Sequence, residues 1–430
     1  MLITHSGDFN TGTPESDLLN AAPDIAAFNA MGLDVSAVGN HEFDKDFSVL
    51  RKQIRQARYP LVMANIKAKN PDDFYISPYV IKRKANKNIC IIGVTTNKIK
   101  GIMLKSKENK IVLLDTVEAV KEQIKNFPKQ SLVLVLSHIG VDDSRHEGAG
   151  NIFDDELAAK VSGISVIIGG HSHSTLYKPK KINDTLILQA GCYGEKIGRL
   201  DLEIADNNKI VNYKYKIIDI NSKDKSPKIA ALIDKYTGKY AHHLNKVLGK
   251  NRSLLDFAKI RKEETAIGNL IADIVKVKGC DIGMYQSGGV RASLKTGNLT
   301  VRDILTTLPF NSVIVKIRLH GSDLKSILDE SVAKKSFLLI SGMNIRIKED
   351  NVVINDIQGQ KIDANKQYTL CTSDYLVEGG DGFKTLFAFK GYKENTRIFV
   401  HDSLMDYVKK NKIIEYKVDG RILLQDKKLK

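Results

Sequence analysis

Cysteine is scarce in this chain and lacks pattern. Four cysteines, Cys90, Cys192, Cys280 and Cys371, are scattered over 430 residues with no C-x-x-C pair. Such spacing argues against a zinc cage or a disulfide framework and reads as buried thiols. Long apolar runs are missing as well. None approaches the roughly 20 residues needed to cross a bilayer as a helix, so no membrane span is expected. The first residues, MLITHSGD, also lack the charged and apolar regions of a secretory leader. As written, the chain would be cytoplasmic.

The bulk composition is ordinary. Hydrophobic residues make up 42% and charged residues 27%, a balance typical of soluble globular proteins. At 430 residues the natural expectation is two domains. The formal net charge is +16, but the lysines are spread along the chain in short runs such as KAKN, KRKANK and KDKSPK. Diffuse lysine reads as a solvated surface rather than a nucleic-acid interface. A generally positive field suits a small anionic substrate.

The first half alternates strand and helix signals. Short runs rich in Val and Ile recur at 35–38, 89–94, 132–136, 164–168 and 186–189, with amphipathic stretches at 116–127 and 154–161 between them. That rhythm predicts an α/β layered domain around a central sheet. Near Asn221 it breaks at a polar SKDKSP segment, and 228–248 reads as a long amphipathic helix. The domain boundary is expected within 222–247. Beyond it come helices around 266–277 and 321–331 and several short strands.

The turn residues after each early strand carry the chemistry. Leu2-Ile3-Thr4 runs into the Gly7-Asp8 turn, Ser36-Ala37-Val38 into Gly39-Asn40-His41-Glu42-Phe43-Asp44, 132–136 into Ser137-His138, and 164–168 into Gly169-Gly170-His171-Ser172-His173. An Asp, an Asn and four of the ten histidines thus sit at strand C-terminal ends, where α/β sheets assemble their sites. Carboxylate, amide oxygen and imidazole suit Mn, Zn, Fe or Co without any thiolate. Each motif alone is weak; four in this order, each ending a strand, are hard to explain by chance.

In that order GD, GNHEFD, a strand-terminal His and GGHSH resemble the calcineurin-like metallophosphoesterase family. SGDFNTGTPESDL, AVGNHEFD and the stretch 144–154 are similar to the bacterial periplasmic UDP-sugar hydrolase/5′-nucleotidase family. QSGGVR, LPFNSV and EGGDGF resemble its C-terminal nucleotide-binding domain, so essentially the whole chain is covered. The resemblance implies an α/β (α+β layered sandwich) fold. It has a four-layer metallophosphoesterase domain at 1–221, a linker helix at 222–247 and a C-terminal α/β substrate-binding domain at 248–430.

The resemblance also implies a site and an activity. Two divalent ions (Zn, Mn, Co or Mg) would be held by Asp8, Asn40, His138, His171 and His173, with Asp8 bridging. His41, oriented by Asp44, would face the substrate phosphate. Arg261 and Arg291 would grip phosphates, Phe310 and Tyr375 would sandwich the base, and Asp381 would hold the ribose hydroxyls. Hydrolysis of nucleoside 5′-monophosphates by metal-activated water is expected, with UDP-sugars as further substrates and no phosphoenzyme, since no Ser or Cys nucleophile motif is present. Two alternatives stand beside it, a 2′,3′-cyclic phosphodiesterase/3′-nucleotidase and a non-catalytic nucleotide-binding remnant.

There are departures. Family members carry a strand ending in Asp-x-His before the Gly-Asp turn, and it supplies two further metal ligands. Here the chain opens past it, so an incomplete second metal position, a start placed too far downstream or a truncated gene, and impaired activity are expected. The family is periplasmic or cell-surface, in contrast to the missing leader. Gln286 replaces Asn or Ser before Ser-Gly-Gly-Val-Arg, Phe257 stands where the bacterial hydrolase has Arg, and Asn269 is shared with the animal enzymes.

Overall fold

The computed structural model describes residues 1–99, 103, 105–128, 131–141, 152–221, 224–348 and 351–425. Most of the 144–154 stretch therefore lies outside the described residues. The chain divides into two compact units, Met1–Lys239 and Tyr240–Lys430. The break falls inside an 18-residue helix, Pro227–Leu244, whose only buried residue is Leu244. Among the described residues no helix is long and apolar enough to cross a membrane.

The first unit contains two main sheets where the strand rhythm alone suggested one, together with two two-stranded ribbons, Lys196–Ile204 with Ile210–Asp219 and Ile66–Ala68 with Ile111–Leu113. The strands Thr4–His5, Val35–Ala37 and Leu61–Val62 form a parallel three-stranded sheet. A six-stranded sheet runs Lys180–Ile182, Thr185–Leu188, Val166–Ile168, Leu132–His138, Lys87–Thr95, Tyr79–Lys84. Its middle strands are parallel, with an antiparallel partner at each edge.

Side-chain alternation explains the layering. Leu132 to His138 is buried at every position, as a parallel strand covered on both faces must be. Leu132, Leu134 and Leu136 join Val35, Ala37 and Val62 in a core between the two sheets. Val133 and Val135 point the other way and pack with Val120 and Leu157 from the helices Thr116–Lys125 and Asp154–Lys160. On the outer face of the small sheet, Val38 and Leu61 meet Ile25 and Leu50 of the helices Ala22–Met31 and Phe47–Gln56. The result is helices, sheet, sheet, helices: the expected layered α/β sandwich. A two-residue period sends alternate side chains of one strand into different cores.

The second unit is built on a mixed five-stranded sheet ordered Leu338–Ser341, Ile282–Gln286, Gln367–Ser373, Val313–His320, Lys393–Phe399. The helices Ala266–Val275 and Val400–Asn411 share one core, in which Ile267, Leu270, Val400 and Leu404 are buried. Helix Gly321–Ala333 packs in the other, with Leu324 and Ile327 against Ile282 and Ile317. Thr265 caps the first of these helices, accepting from the Gly268 N–H.

Two of the cysteines depart from the sequence expectation. Cys280 and Cys371 are not thiols but a disulfide, their Cα atoms 5.8 Å apart. Separation along the chain concealed this, because the parallel pairing of Gly283 with Cys371 brings together segments 91 residues apart. Cys90 and Cys192 lie outside this disulfide.

Candidate active site and metal centre

The site grows from the C-terminal ends of four parallel strands, two from each sheet. The register Thr4 to Val35 in one sheet and Leu134 to Val166 in the other brings the four loops after them together in pairs. The first loop turns sharply, with Gly7 at φ 95° and Asp8 at φ 61°. The loops then approach too closely for any side chain at two glycines. A Cβ on Gly7 would lie 2.6 Å from the Gly39 nitrogen, and one on Gly39 would lie 2.1 Å from Asp8 Oδ1.

Asp8 stands at the centre. Its Oδ1 accepts the His41 backbone N–H at 2.9 Å, and its Oδ2 lies 2.8 Å from His138 Nε2. His138 is 2% exposed, and its Nδ1–H donates to the Ser6 carbonyl at 2.6 Å. With Nδ1 committed as a donor, Nε2 is the ring nitrogen turned to Asp8. Ligand atoms of Asp8, His138 and His171 all lie within 4.8 Å of one another. The rings of His138 and His171 are 5.2 Å apart, and His171 holds a left-handed φ of 65°.

These residues fit a divalent cation. Asn40 Oδ1 is buried and completes no hydrogen bond among the described atoms, while the buried His138 Nε2 has Asp8 Oδ2 at 2.8 Å. An orphaned buried lone pair, on the loop next to a carboxylate and two imidazoles, is costly unless a ligand satisfies it. The oxygen and nitrogen donors suit Zn, Mn or Co. The charges are arranged accordingly. Burial opposes ionisation of Asp8, but neighbouring His138 and His41 hold its carboxyl well below the usual range. Burial disfavours a charge on His138, and Asp8 overrides it, raising the imidazole pKa.

His41 lies beside this centre. Its Nδ1 is 2.7 Å from Asp44 Oδ2, which also accepts from Thr11 Oγ1 at 2.7 Å. Its Nε2 points toward Asp8, 3.9 Å from Oδ2. His173 falls outside the three-residue cluster; its ring stands edge-on to Tyr193 at 5.3 Å.

In the second unit, Tyr375 and Asp381 are in contact. The phenol donates to Asp381 Oδ1 at 2.8 Å and accepts the Asp381 N–H at 3.0 Å, while Ser336 Oγ donates to Oδ2 at 3.1 Å. The Tyr375 ring lies over Gly380, where a Cβ would come within 2.4 Å of it. Arg261 is exposed and lines a cavity of about 180 Å³ with Lys262, Lys335 and Phe337. Arg291 is half-buried, its N–H bonded to the Thr307 carbonyl at 2.9 Å. Phe310 is half-buried just beyond helix Val301–Thr307.

The three residues that depart from the family pattern in this unit have structural roles. Gln286 accepts from Ser373 Oγ at 2.8 Å, tying two neighbouring strands. Asn269, 2% exposed, donates to Glu264 at 2.7 Å. Phe257 packs against the hydrophobic core.

Sequence reading missed Asp154, taking it for a helix-start residue. It is fully buried, accepts from Ser137 Oγ, and its Oδ2 would lie 2.5 Å from a Cβ on Gly169. It therefore bridges the segments bearing His138 and His171. Burial pushes its pKa up to about 7. The folded state holds this proton more tightly than the unfolded chain. The contribution to stability is thus full below the ordinary carboxyl pKa and is lost as pH rises through about 7. Asp154→Asn, which cannot ionise, should gain on the parent by ~2–3 kcal/mol between pH 5 and pH 8. Thermal unfolding of both proteins at the two pH values checks this; a pH-independent difference would contradict it.

Comparison with known proteins agrees with this architecture. Residues 1–175 match the calcineurin-like phosphoesterase family, and residues 244–388 match the 5′-nucleotidase C-terminal domain. Protein UshA of Yersinia enterocolitica is 29% identical, over 98% of this chain and 86% of its own length. A 5′-nucleotidase of Vibrio parahaemolyticus is 27% identical, over 99% of this chain and 84% of its own. The crystal structure of a 5′-nucleotidase precursor from Thermus thermophilus superposes with a TM-score of 0.90 at 24% identity, covering 99% of this chain and 90% of that one. The chain therefore joins a calcineurin-like phosphoesterase domain to a 5′-nucleotidase C-terminal domain and is homologous to the UshA and 5′-nucleotidase family.

Proposed function

We propose that this protein is a metal-dependent phosphoric ester hydrolase that converts nucleoside 5′-monophosphates to nucleoside and phosphate, with UDP-sugars as secondary substrates. The observation that carries this reading is the cluster of Asp8, His138 and His171, with the orphaned Asn40 Oδ1 on the adjoining loop and the His41–Asp44 pair beside it. Residues 1–221 carry the chemistry, 248–430 recognise the nucleotide, and 222–247 connect them. Asp8, Asn40, His138 and His171 would hold one divalent ion and His173 would help to hold a second; such ions would supply a water of lowered pKa and neutralise phosphoryl charge. His41, its ring fixed through Nδ1 by Asp44, donates from Nε2 to a phosphoryl oxygen as water displaces the nucleoside oxygen in line. Arg261 and Arg291 offer planar donors to phosphate. An oxidising compartment, periplasm or cell surface, is supported by the Cys280–Cys371 disulfide.

Phosphate release from AMP is the test. Activity should vanish with a chelator and return on adding Mn, Co, Zn or Mg; adenosine binding without any phosphate release under every metal would defeat the proposal. Recognition is separable from chemistry. Tyr375→Ala and Phe310→Ala should each raise KM for AMP through loss of stacking worth ~1–3 kcal/mol, with turnover of a small aryl phosphate nearly unchanged. Equal damage to both substrates would show that these rings serve the core instead.

A further inference from the structure

We propose that Glu42 is a positioning residue for the metal centre: its buried carboxylate sets the two loops that present Asp8 and Asn40. The inference rests on the metal-dependent reading of the site. Glu42 is 1% exposed, and four backbone N–H groups converge on it. Its Oε2 accepts from Gly39 at 2.7 Å and Asp8 at 2.8 Å; its Oε1 accepts from Phe9 at 2.8 Å and Asn10 at 3.0 Å.

Those donors come from two chain segments, which the His41 N–H to Asp8 and the Thr11 hydroxyl to Asp44 also join from outside the carboxylate. Residues 8, 9 and 10 turn three successive N–H groups inward, a consequence of the left-handed Asp8. Buried and unsatisfied, each would be costly. The Gly39 N–H belongs to the loop after Val35–Ala37, which also carries Asn40. One carboxylate therefore joins both loops. With the Asp8 N–H turned toward Glu42, its side chain turns the other way, to His138 and the His41 N–H.

The arrangement tolerates no amide. Each carboxylate oxygen takes two N–H donors, so in Glu42→Gln the side-chain NH2 must face two of them whichever way it rotates. The isosteric change should loosen the loops while leaving volume and packing alone. Outer contacts of this kind typically carry ~10–100-fold in metal affinity or activity.

Full-length parent, Glu42→Gln and Glu42→Asp are compared by Co(II) titration, following the visible absorption of the bound ion without substrate, and by AMP kinetics at saturating metal. Glu42→Gln should weaken Co(II) by ~10-fold or more and lower kcat by a similar factor, with KM for AMP within about threefold of the parent. Glu42→Asp keeps the charge one methylene short and should fall between. A folded Glu42→Gln with parental Co(II) affinity and kcat would overturn the proposal. Should that variant fail to fold, parental affinity in Glu42→Asp would overturn it equally. Metal binding is read apart from turnover. A parent that binds Co(II) but leaves AMP intact would defeat the nucleotidase reading, and loss of Co(II) affinity in Glu42→Gln would still support the role of Glu42. A parent that takes up no Co(II) would overturn both.

Discussion

Asp8→Asn is expected to lower kcat/KM for AMP by about three orders of magnitude or more, with the fold retained. The side chain is nearly isosteric, and the His41 N–H can still be accepted by the amide oxygen, so the loop keeps its 2.9 Å anchor. The variant loses the negative charge 2.8 Å from His138 Nε2. In the proposed site a neutral amide would hold a cation far less well than the carboxylate, and its loss would remove both metal affinity and the water the metal would activate. The charge on His138 also loses the partner that raises its pKa. Protonated more weakly, it remains a free imidazole, so residual binding of a single ion through His138 and His171 is the most the variant should show. Steady-state kinetics with bound metal quantified in the same samples decide the matter; near-parental turnover would remove Asp8 from the site.

His41→Ala should behave differently. The loss expected is ~10²–10³ in kcat, the usual size for one preorganised donor to developing charge, with metal content unchanged. The hydrogen bond from His41 that anchors Asp8 comes from its backbone N–H, and alanine retains that group. Its ring nitrogen is held by Asp44 at 2.7 Å, so Asp44→Asn should produce a smaller fall of the same kind, by disordering the ring rather than deleting it. A His41→Ala protein that loses metal, or one that changes only KM, would assign His41 to another task.

Much of this is legible in the sequence, and the reasons are physical. The strand Leu132–His138 can be read from its β-branched and leucine run because a strand buried on both faces has no polar alternation to obscure it. Asp8, Asn40, His138 and His171 stand out because glycine accompanies functional groups wherever loops must approach closely, as at Gly7 and Gly39. The split into two sheets is not legible. Runs at 35–37 and 132–138 look alike in sequence, and only the register of pairing assigns them to different sheets. Pairing likewise hides the Cys280–Cys371 bond. Glu42 and Asp154 escape notice for a common reason. Both are acids whose partners are backbone groups or a serine hydroxyl, and such partners leave no mark in residue identity. A carboxylate directly after the Asn-His pair of GNHEFD, in a loop that must turn sharply, is the available hint.

The central claim is that a divalent cation binds where Asp8, Asn40, His138 and His171 converge. Anomalous diffraction from crystals of this protein grown with Mn(II) or Co(II), collected at the metal edge, tests it most directly. A strong peak is expected within coordination distance of the Asp8 carboxylate, Asn40 Oδ1, His138 Nε2 and a ring nitrogen of His171. A saturated crystal with its metal elsewhere, and none touching Asp8, would contradict the claim.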